Sequence, residues 1–324
     1  MIFLQTVMGL VILLLGGDFL VRGAVALAQR LGLPALVIGL TVVAFGTSAP
    51  ELVVSIEAAL GNTADIALGN VIGSNIANVL LVLGVPSLLY PTVCNAPLLR
   101  RNATFAILIS ILFMTLASTG VLVFWNGVAL TVVLLMFVGY SASMDKHLPS
   151  VTQEAASEVE HHTNKGMTTS ESLLFLVGGL CGLLAGAKLL VDGSVAIARA
   201  AEISEAVIGL TLVAVGTSLP ELVTAMIAAA RRHSEVVVGT VLGSCIFNLT
   251  AVMGVTALVT DIPVSANFIH VDLWLMLGTL ALLTVFIFGR IPIGRLAGML
   301  YLVIYGAYTW ALLHGYSVID MVTN

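Results

Sequence analysis

Apolar positions in this chain run in long unbroken blocks rather than in alternation with polar ones. Val121–Tyr140 and Leu273–Gly289 are two such blocks. Each is long enough, as a helix, to cross a hydrocarbon core, which takes ~20 mostly apolar residues. Continuous runs also exclude a membrane β-barrel, whose strands alternate outward and inward positions. Ten segments of this kind predict ten transmembrane helices, at about 5–30, 35–60, 67–90, 103–121, 123–143, 170–198, 205–230, 235–260, 268–288 and 293–314. The only long polar stretch, Met144–Thr169, carries Asp145, Lys146, Glu154, Glu158, Glu160, His161, His162 and Lys165. That is the composition of a solvated linker. Two histidines beside acids also make a metal-ligand pattern, but a solvated loop is the plainer reading.

The two halves are copies of one unit. Val37–Val85 and Val207–Val255 align at a constant offset of 170 without a gap, and 25 of the 49 positions are identical. The densest block reads VIGLTVVAFGTSAPELV in the first half and VIGLTLVAVGTSLPELV in the second. A further block reads GNVIGSNIAN against GTVLGSCIFN. Five spans per copy is an odd number, so the second copy must enter the membrane inverted. The predicted architecture is therefore an all-α polytopic membrane protein. Its ten helices form a first five-helix repeat (1–143), a cytoplasmic polar linker (144–169) and a second, inverted repeat (170–324). Inverted repeats are an architecture of secondary transporters, with the substrate site at the midplane between the copies.

Charge placement gives the orientation. With the N-terminus outside, the inward loops and adjoining span ends hold Arg22, Arg30, Arg100, Arg101, Lys146, Lys165, Arg231, Arg232, Arg290 and Arg295, leaving Lys188 and Arg199 outside. The positive-inside rule accepts this orientation and rejects its opposite. It predicts a multi-pass protein of the cell (inner) membrane with both termini extracytoplasmic.

Composition narrows the function classes. Of the 324 residues only 9% are charged, twelve basic and seventeen acidic, while 59% are hydrophobic. Soluble domains carry about 25% charge, and the mean hydropathy here is +1.13. The net charge is −5 and basic residues never cluster beyond pairs, so nothing supports nucleic-acid binding. Cys94, Cys181 and Cys245 are too few and too scattered for a disulfide framework or a zinc site and are read as small packing residues. Met1–Gly17 lacks a basic leader and a clear cleavage site, so it is read as the first span rather than a removed signal peptide.

Ionisable groups deep in a span are costly and usually functional. Most of the acids lie in loops or near span ends, but Glu51 and Glu221 lie well inside theirs, at equivalent positions of the two copies. Inversion would bring them to one central site from opposite sides. Each closes a helix-breaking sequence, Gly46-Thr47-Ser48-Ala49-Pro50-Glu51 and Gly216-Thr217-Ser218-Leu219-Pro220-Glu221. Proline removes a backbone donor and clashes with the preceding turn, which would leave carbonyls around Ala44 and Ala214 free to face inward. Thr47, Ser48, Thr217 and Ser218 add hydroxyl oxygens. A plain proline kink is the alternative. In the second block Ser74 and Asn78, and likewise Ser244 and Asn248, share one helix face at i, i+4. Small-residue packing glued by an asparagine competes with the ligand reading there. Taken together the site offers carboxylates, amides, hydroxyls and carbonyls, with neither sulfur nor imidazole. Hard oxygen donors select Ca²⁺, Na⁺ or Mg²⁺ over transition metals, and Ca²⁺ takes six to eight of them in flexible geometry.

GTSAPE and GTSLPE, each followed by G-x-V-x-G-S-x-I-x-N, resemble the paired repeats of the calcium/cation antiporter superfamily, most nearly the prokaryotic sodium/calcium exchangers. The resemblance implies a ten-helix antiporter, not an enzyme, that exports Ca²⁺ against entering Na⁺ and uses no cofactor or protein partner. By motif position it implies Glu51 and Glu221 as principal ligands. Thr47 and Thr217, with the carbonyls of Ala44 and Ala214, would contribute to cation sites, and Ser48, Ser218, Ser74, Ser244, Asn78 and Asn248 are further candidates. A proton/calcium antiporter is one alternative, though that branch typically has Gly-Asn-Ala ahead of its acid where this chain has Gly-Thr-Ser. A passive cation channel is the other. Several family members carry an aspartate where this chain has Asn248, which bears on any co-transport of K⁺. Asp18 and Arg22, and their counterparts Lys188 and Asp192, are spaced for i, i+4 ion pairs.

Overall fold

A computed structural model describes residues 2–31, 43–61, 64–144, 167–200, 214–266 and 268–313. The expected linker with His161 and His162, the segment after 313, and the opening stretches of the expected second and seventh spans lie outside the described residues. The structure is almost wholly helical. Its helices are α1 (Ile2–Leu31), α2 (Ala44–Thr47), α3 (Ala49–Leu60), α4 (Ala64–Leu80), α5 (Gly84–Leu89), α6 (Pro97–Ala117) and α7 (Phe124–Met144). The second half adds α8 (Thr169–Ala200), α9 (Ala214–Thr217), α10 (Leu219–Ala230), α11 (Ser234–Phe247), α12 (Met253–Val259), α13 (Leu273–Gly289) and α14 (Arg295–Leu313). A π-helical turn, Asn248–Val252, joins α11 to α12, and another, Phe268–Asp272, leads into α13.

Among the described residues, seven helical segments are long and apolar enough to cross a membrane: Leu4–Leu27, Ala64–Leu89, Leu98–Ala117, Phe124–Ser141, Thr169–Gly186, Ser234–Val259 and Phe268–Gly289. The other expected spans coincide with α14 and with the broken pairs α2–α3 and α9–α10. The breaks fall where proline forbids a regular helix. Ser48 adopts φ −82°, ψ 5° one residue before α3, and Ser218 adopts φ −89°, ψ 3° before α10. Elsewhere local signals set the ends. Pro97 opens α6, where its missing N–H costs nothing. A capping box opens α8: the Thr168 N–H donates to Glu171 Oε2 at 2.5 Å and the Glu171 N–H to Thr168 Oγ1 at 3.2 Å.

The centre of the molecule is α4 and α11. Every residue of α11 from Val236 to Phe247 is buried, as is most of α4 from Ala67 onward. Neither helix carries a charged, water-facing side because protein surrounds most of their length. α3 and α10 pack beside this pair, and α6, α7, α13 and α14 flank it. The outer surface is apolar instead of charged: Leu14, Leu15, Leu135, Met136, Leu296 and Val303 are all exposed. Exposed apolar cover on this scale suits lipid and not water.

α1 and α8 lie antiparallel at backbone contact. A methyl group at Gly16 would sit 2.5 Å from the Leu183 nitrogen, and one at Gly186 2.4 Å from the Leu13 nitrogen. Gly23 meets the Leu176 backbone in the same way, and Gly193 faces Thr6, its side-chain hydroxyl first. Each of these couples is one contact and its counterpart under the 170-residue offset. At the centre, Asn75 touches its own counterpart, with the Cys245 thiol 3.9 Å from the Asn75 carbonyl.

Loops expected on one side of the membrane meet each other. Val121 and Leu122 pair with Pro263 and Ile262 in a two-residue antiparallel ladder, joining the loops before α7 and before α13. Thr92 bridges Ile293, Arg100 Nη2 donates to the Phe288 carbonyl at 2.8 Å, and Arg295 Nε donates to the Leu88 carbonyl at 3.1 Å. Arg30 reaches the Met167 carbonyl. All of these last contacts join segments assigned to the inward side by charge.

Candidate functional site

The two breaks deliver Glu51 and Glu221 into the middle of the core. Each sits in the first turn of the helix that follows its break, and both side chains are fully buried at 0% exposure. The two carboxylates interact electrostatically with each other, and Glu51 faces Ser74. Glu221 faces Thr47, Ser48 and Ser244, so each carboxylate projects toward oxygens borne on other elements. Yet among the described residues none of the four carboxylate oxygens finds a hydrogen-bond partner of good geometry. A buried charge left in that condition is costly unless something else pairs with it.

The surrounding oxygens are in the same condition. The hydroxyls of Ser48, Ser218 and Ser244 and all the amide atoms of Asn78 and Asn248 are buried without a hydrogen-bond partner. Buried polar groups are nearly always satisfied, and the orphaned oxygens among these are donors that a cation could engage. Thr47 is arranged for the same purpose. Its hydroxyl donates to the Ala44 carbonyl at 3.3 Å, which spends the proton on backbone and leaves the oxygen lone pairs to face the cluster. Ser74 is buried beside Glu51, and Thr217 is half-buried at the end of α9. All three donor types are hard oxygens. Hard oxygen donors suit alkali and alkaline-earth ions better than transition metals.

The structure departs from expectation at Ala44. Its carbonyl is not free: it accepts the Ser48 N–H at 3.0 Å as well as the Thr47 hydroxyl. The reason is that the chain stays close to helical through the break, so the ordinary bond to the residue four back still forms. Pro50 has no N–H to offer the Gly46 carbonyl one turn earlier, and a cap N–H is directed to that carbonyl instead. Ala214 opens the equivalent short helix α9.

Two polar residues near the site were not singled out by the motifs. Asn75 is buried with its carbonyl oxygen unpartnered while its amide nitrogen meets the Met276 sulfur at 3.6 Å. Asn70 donates to the Glu51 backbone carbonyl at 3.1 Å and to the Ser55 hydroxyl at 3.0 Å. The helical spacing of Asn70, Ser74 and Asn78 at i, i+4 and i+8 was the available signal for the latter.

Midway along α1, Asp18 pairs with Arg22 at 2.8 Å as the spacing predicts, and also with Arg231 at the end of α10. The second partner depends on tertiary structure. Its counterpart under the repeat offset is Gly61, which has no side chain to form the equivalent pair. Lys188 and Asp192 are exposed.

Comparison with known proteins places this geometry in context. The family model for sodium/calcium exchanger proteins matches residues 1–142 and, separately, 171–314. The chain is 36% identical over 313 residues to the putative antiporter CaxA of Alkalimonas amylolytica, covering 94% of this chain and 96% of that one. It is 30% identical over 347 residues to the sodium/calcium exchanger MaX1 of Methanosarcina acetivorans, with 96% and 98% covered. Its fold superposes on the sodium-calcium exchanger NCX_Mj with a TM-score of 0.82 at 31% identity, over 95% of this chain and 97% of that one.

Proposed function

The chain belongs to the sodium/calcium exchanger protein family, a family of membrane transporters and not of enzymes, and from that footing we propose that it exchanges Ca²⁺ for Na⁺ by alternating access at the Glu51/Glu221 site. The observation that carries the reading is the pair of buried carboxylates, one from each half, unpartnered among unpartnered hydroxyl and amide oxygens. Two carboxylates balance a divalent ion stripped of water, and neutral oxygens complete its shell. The principal ligands are Glu51 and Glu221, with Thr47, Thr217, Ser48, Ser218, Ser74, Ser244, Asn78 and Asn248 around them. The carbonyls of Ala44 and Ala214 play a lesser part, since that of Ala44 is already engaged. Ca²⁺ and Na⁺ compete for the same carboxylates, so occupancy by one expels the other.

The architecture belonging to this reading is ten helices in two inverted five-helix repeats, 1–143 and 170–324, joined by the cytoplasmic linker 144–169. The two separate family matches, the paired contacts of α1 with α8 and the Asn75–Cys245 contact support a two-fold relation between the halves. The protein lies in the cell (inner) membrane with both termini extracytoplasmic. Cysteines introduced at Ser157 and Asn324 should label from opposite faces with an impermeant reagent. Labelling of both from one face would rule out this topology.

Uptake of Ca²⁺ into proteoliposomes, with Na⁺, K⁺ and H⁺ gradients imposed one at a time, tests the coupling. An outward Na⁺ gradient should drive uptake and the others should not. Uptake driven by H⁺ alone would assign proton coupling, and uptake with no counter-gradient would make the protein a passive channel. Replacing all K⁺ by choline should leave the initial rate within about twofold, a barrier change under ~0.4 kcal/mol. Asn248 can lend an oxygen but no charge, so the two carboxylates balance one Ca²⁺ and leave nothing for a co-bound K⁺. Collapse of the rate without K⁺ would refute that charge count.

A further inference from the structure

We infer that Asn70 is a positioning residue that fixes the Glu51 half of the cation site, and that the Glu221 half is left untied. The inference rests on the proposed cation exchange at this site.

Glu51 begins a helix just after a break, where the backbone is held by few bonds of its own. Pro50 takes away one more donor. Into this weak point α4 extends the Asn70 amide, which donates to the Glu51 backbone carbonyl at 3.1 Å and to the Ser55 hydroxyl, one turn on, at 3.0 Å. The carbonyl can only accept, so the amide nitrogen must face it. Asn70 shares its helix face with Ser74 and Asn78, two of the proposed ligands. The tie therefore sets the Cα of Glu51 against the same helix that presents its neighbouring oxygens. Three groups of one half-site are held in one register before any ion arrives, and preorganisation of this kind is expressed as affinity.

Among the described residues the second half has no equivalent. Thr240 stands where Asn70 would be and Ala225 where Ser55 would be. Thr240 is fully buried, and its hydroxyl has no hydrogen-bond partner; the Glu221 carbonyl receives no amide from α11. Ions of different size and charge must be accommodated in turn at one site. The geometry points to a fixed first half against which the second half adjusts.

The experiment compares Asn70→Leu, which keeps the volume and removes the donor, with Asn70→Gln, which keeps the amide, and Thr240→Val in the other half. Two readouts are taken on the full-length purified protein: the Ca²⁺ concentration that gives half of its stabilisation against thermal unfolding, and KM and kcat for Ca²⁺ uptake in proteoliposomes. Asn70→Leu should raise the half-saturating Ca²⁺ and the KM about tenfold, as the loss of one ordering hydrogen bond implies, with kcat within about threefold. Asn70→Gln should recover part of the loss, and Thr240→Val should shift KM by less than about twofold. An unchanged half-saturating Ca²⁺ in Asn70→Leu, or a fall in kcat at constant KM, would overturn the assignment. So would an equal shift in Thr240→Val. Should Asn70→Leu not fold, the same two readouts on Asn70→Ala, which also removes the amide, decide: a KM shift at constant kcat supports the tie, and no shift overturns it. The thermal readout needs no gradient, so wild-type uptake driven by H⁺ instead of Na⁺ would defeat the sodium reading alone.

Discussion

Glu51→Gln and Glu221→Gln should each reduce Ca²⁺ transport by at least a hundredfold while the protein stays folded in the membrane. Glutamine has the shape of glutamate and keeps an acceptor oxygen, so packing survives. What it removes is one of two charges facing a dehydrated divalent ion. The remaining pair carries a net positive charge in a fully buried place, and a single uncompensated charge at the centre of a membrane costs at least ~3 kcal/mol. At 1.4 kcal/mol per factor of ten, that is a loss of about a hundredfold or more. Stability should move the other way. Neither carboxylate has a hydrogen-bond partner, so replacing one by a neutral amide relieves a buried charge. In ion-free buffer the variants should unfold at or above the wild-type temperature, and added Ca²⁺ should no longer stabilise them. Transport near the wild-type rate in either variant would remove that residue from the principal ligands. Low transport accompanied by a lowered unfolding temperature would instead point to misfolding.

The second large effect is expected at the α1–α8 contact. A methyl at Gly179 would lie 2.3 Å from the Leu20 nitrogen and 2.8 Å from the Gly16 carbonyl oxygen, while a methyl at the adjacent Gly178 meets nothing within 4 Å. Helices in lipid associate through close packing at small residues, because apolar surface is no worse solvated by lipid than by protein. Backbone cannot yield as a side chain can, so a leucine at Gly179 must force the two helices apart along their shared length. Overpacking costs of ~1–3 kcal/mol or more apply even where side chains can adjust. Gly179→Leu should therefore fail to give a monodisperse folded protein. Gly178→Leu, one residue away on an exposed position, should behave as wild type in size-exclusion chromatography and thermal unfolding. Equal behaviour of the two variants would mean that α1 and α8 do not pack at backbone contact.

The contrast between Gly178 and Gly179 shows where the sequence stops. Both are glycines in one apolar helix, and hydropathy treats them alike. Only the partner helix distinguishes the one that must stay small from the one that is free. Asp18 is a similar case. Its i, i+4 bond to Arg22 is written in the local spacing, whereas Arg231 comes from more than two hundred positions away. Asn70 carried a weak local signal, its place on the Ser74–Asn78 face, but its acceptor is a backbone carbonyl, and no residue type reports that a carbonyl is within reach. Proline chemistry alone predicts a free carbonyl around Ala44, because proline removes a donor and clashes with the preceding turn. The backbone bends by only one residue, and the bond to Ser48 persists.

What could be read from the chain alone rests on short-range physics. Unbroken apolar runs require lipid, a proline in such a run requires a break, and a carboxylate beside that break requires a counter-charge. A 170-residue repeat requires that each of these happen twice. These are consequences of solvation and backbone chemistry acting within one or two turns, so they are local in sequence. Which side chains lie near Glu51 and Glu221, which glycines touch backbone, and where the Asn70 amide finds its acceptors depend on packing. Those contacts join positions far apart along the chain, and their energies depend on distances of a few tenths of an ångström that no local pattern encodes.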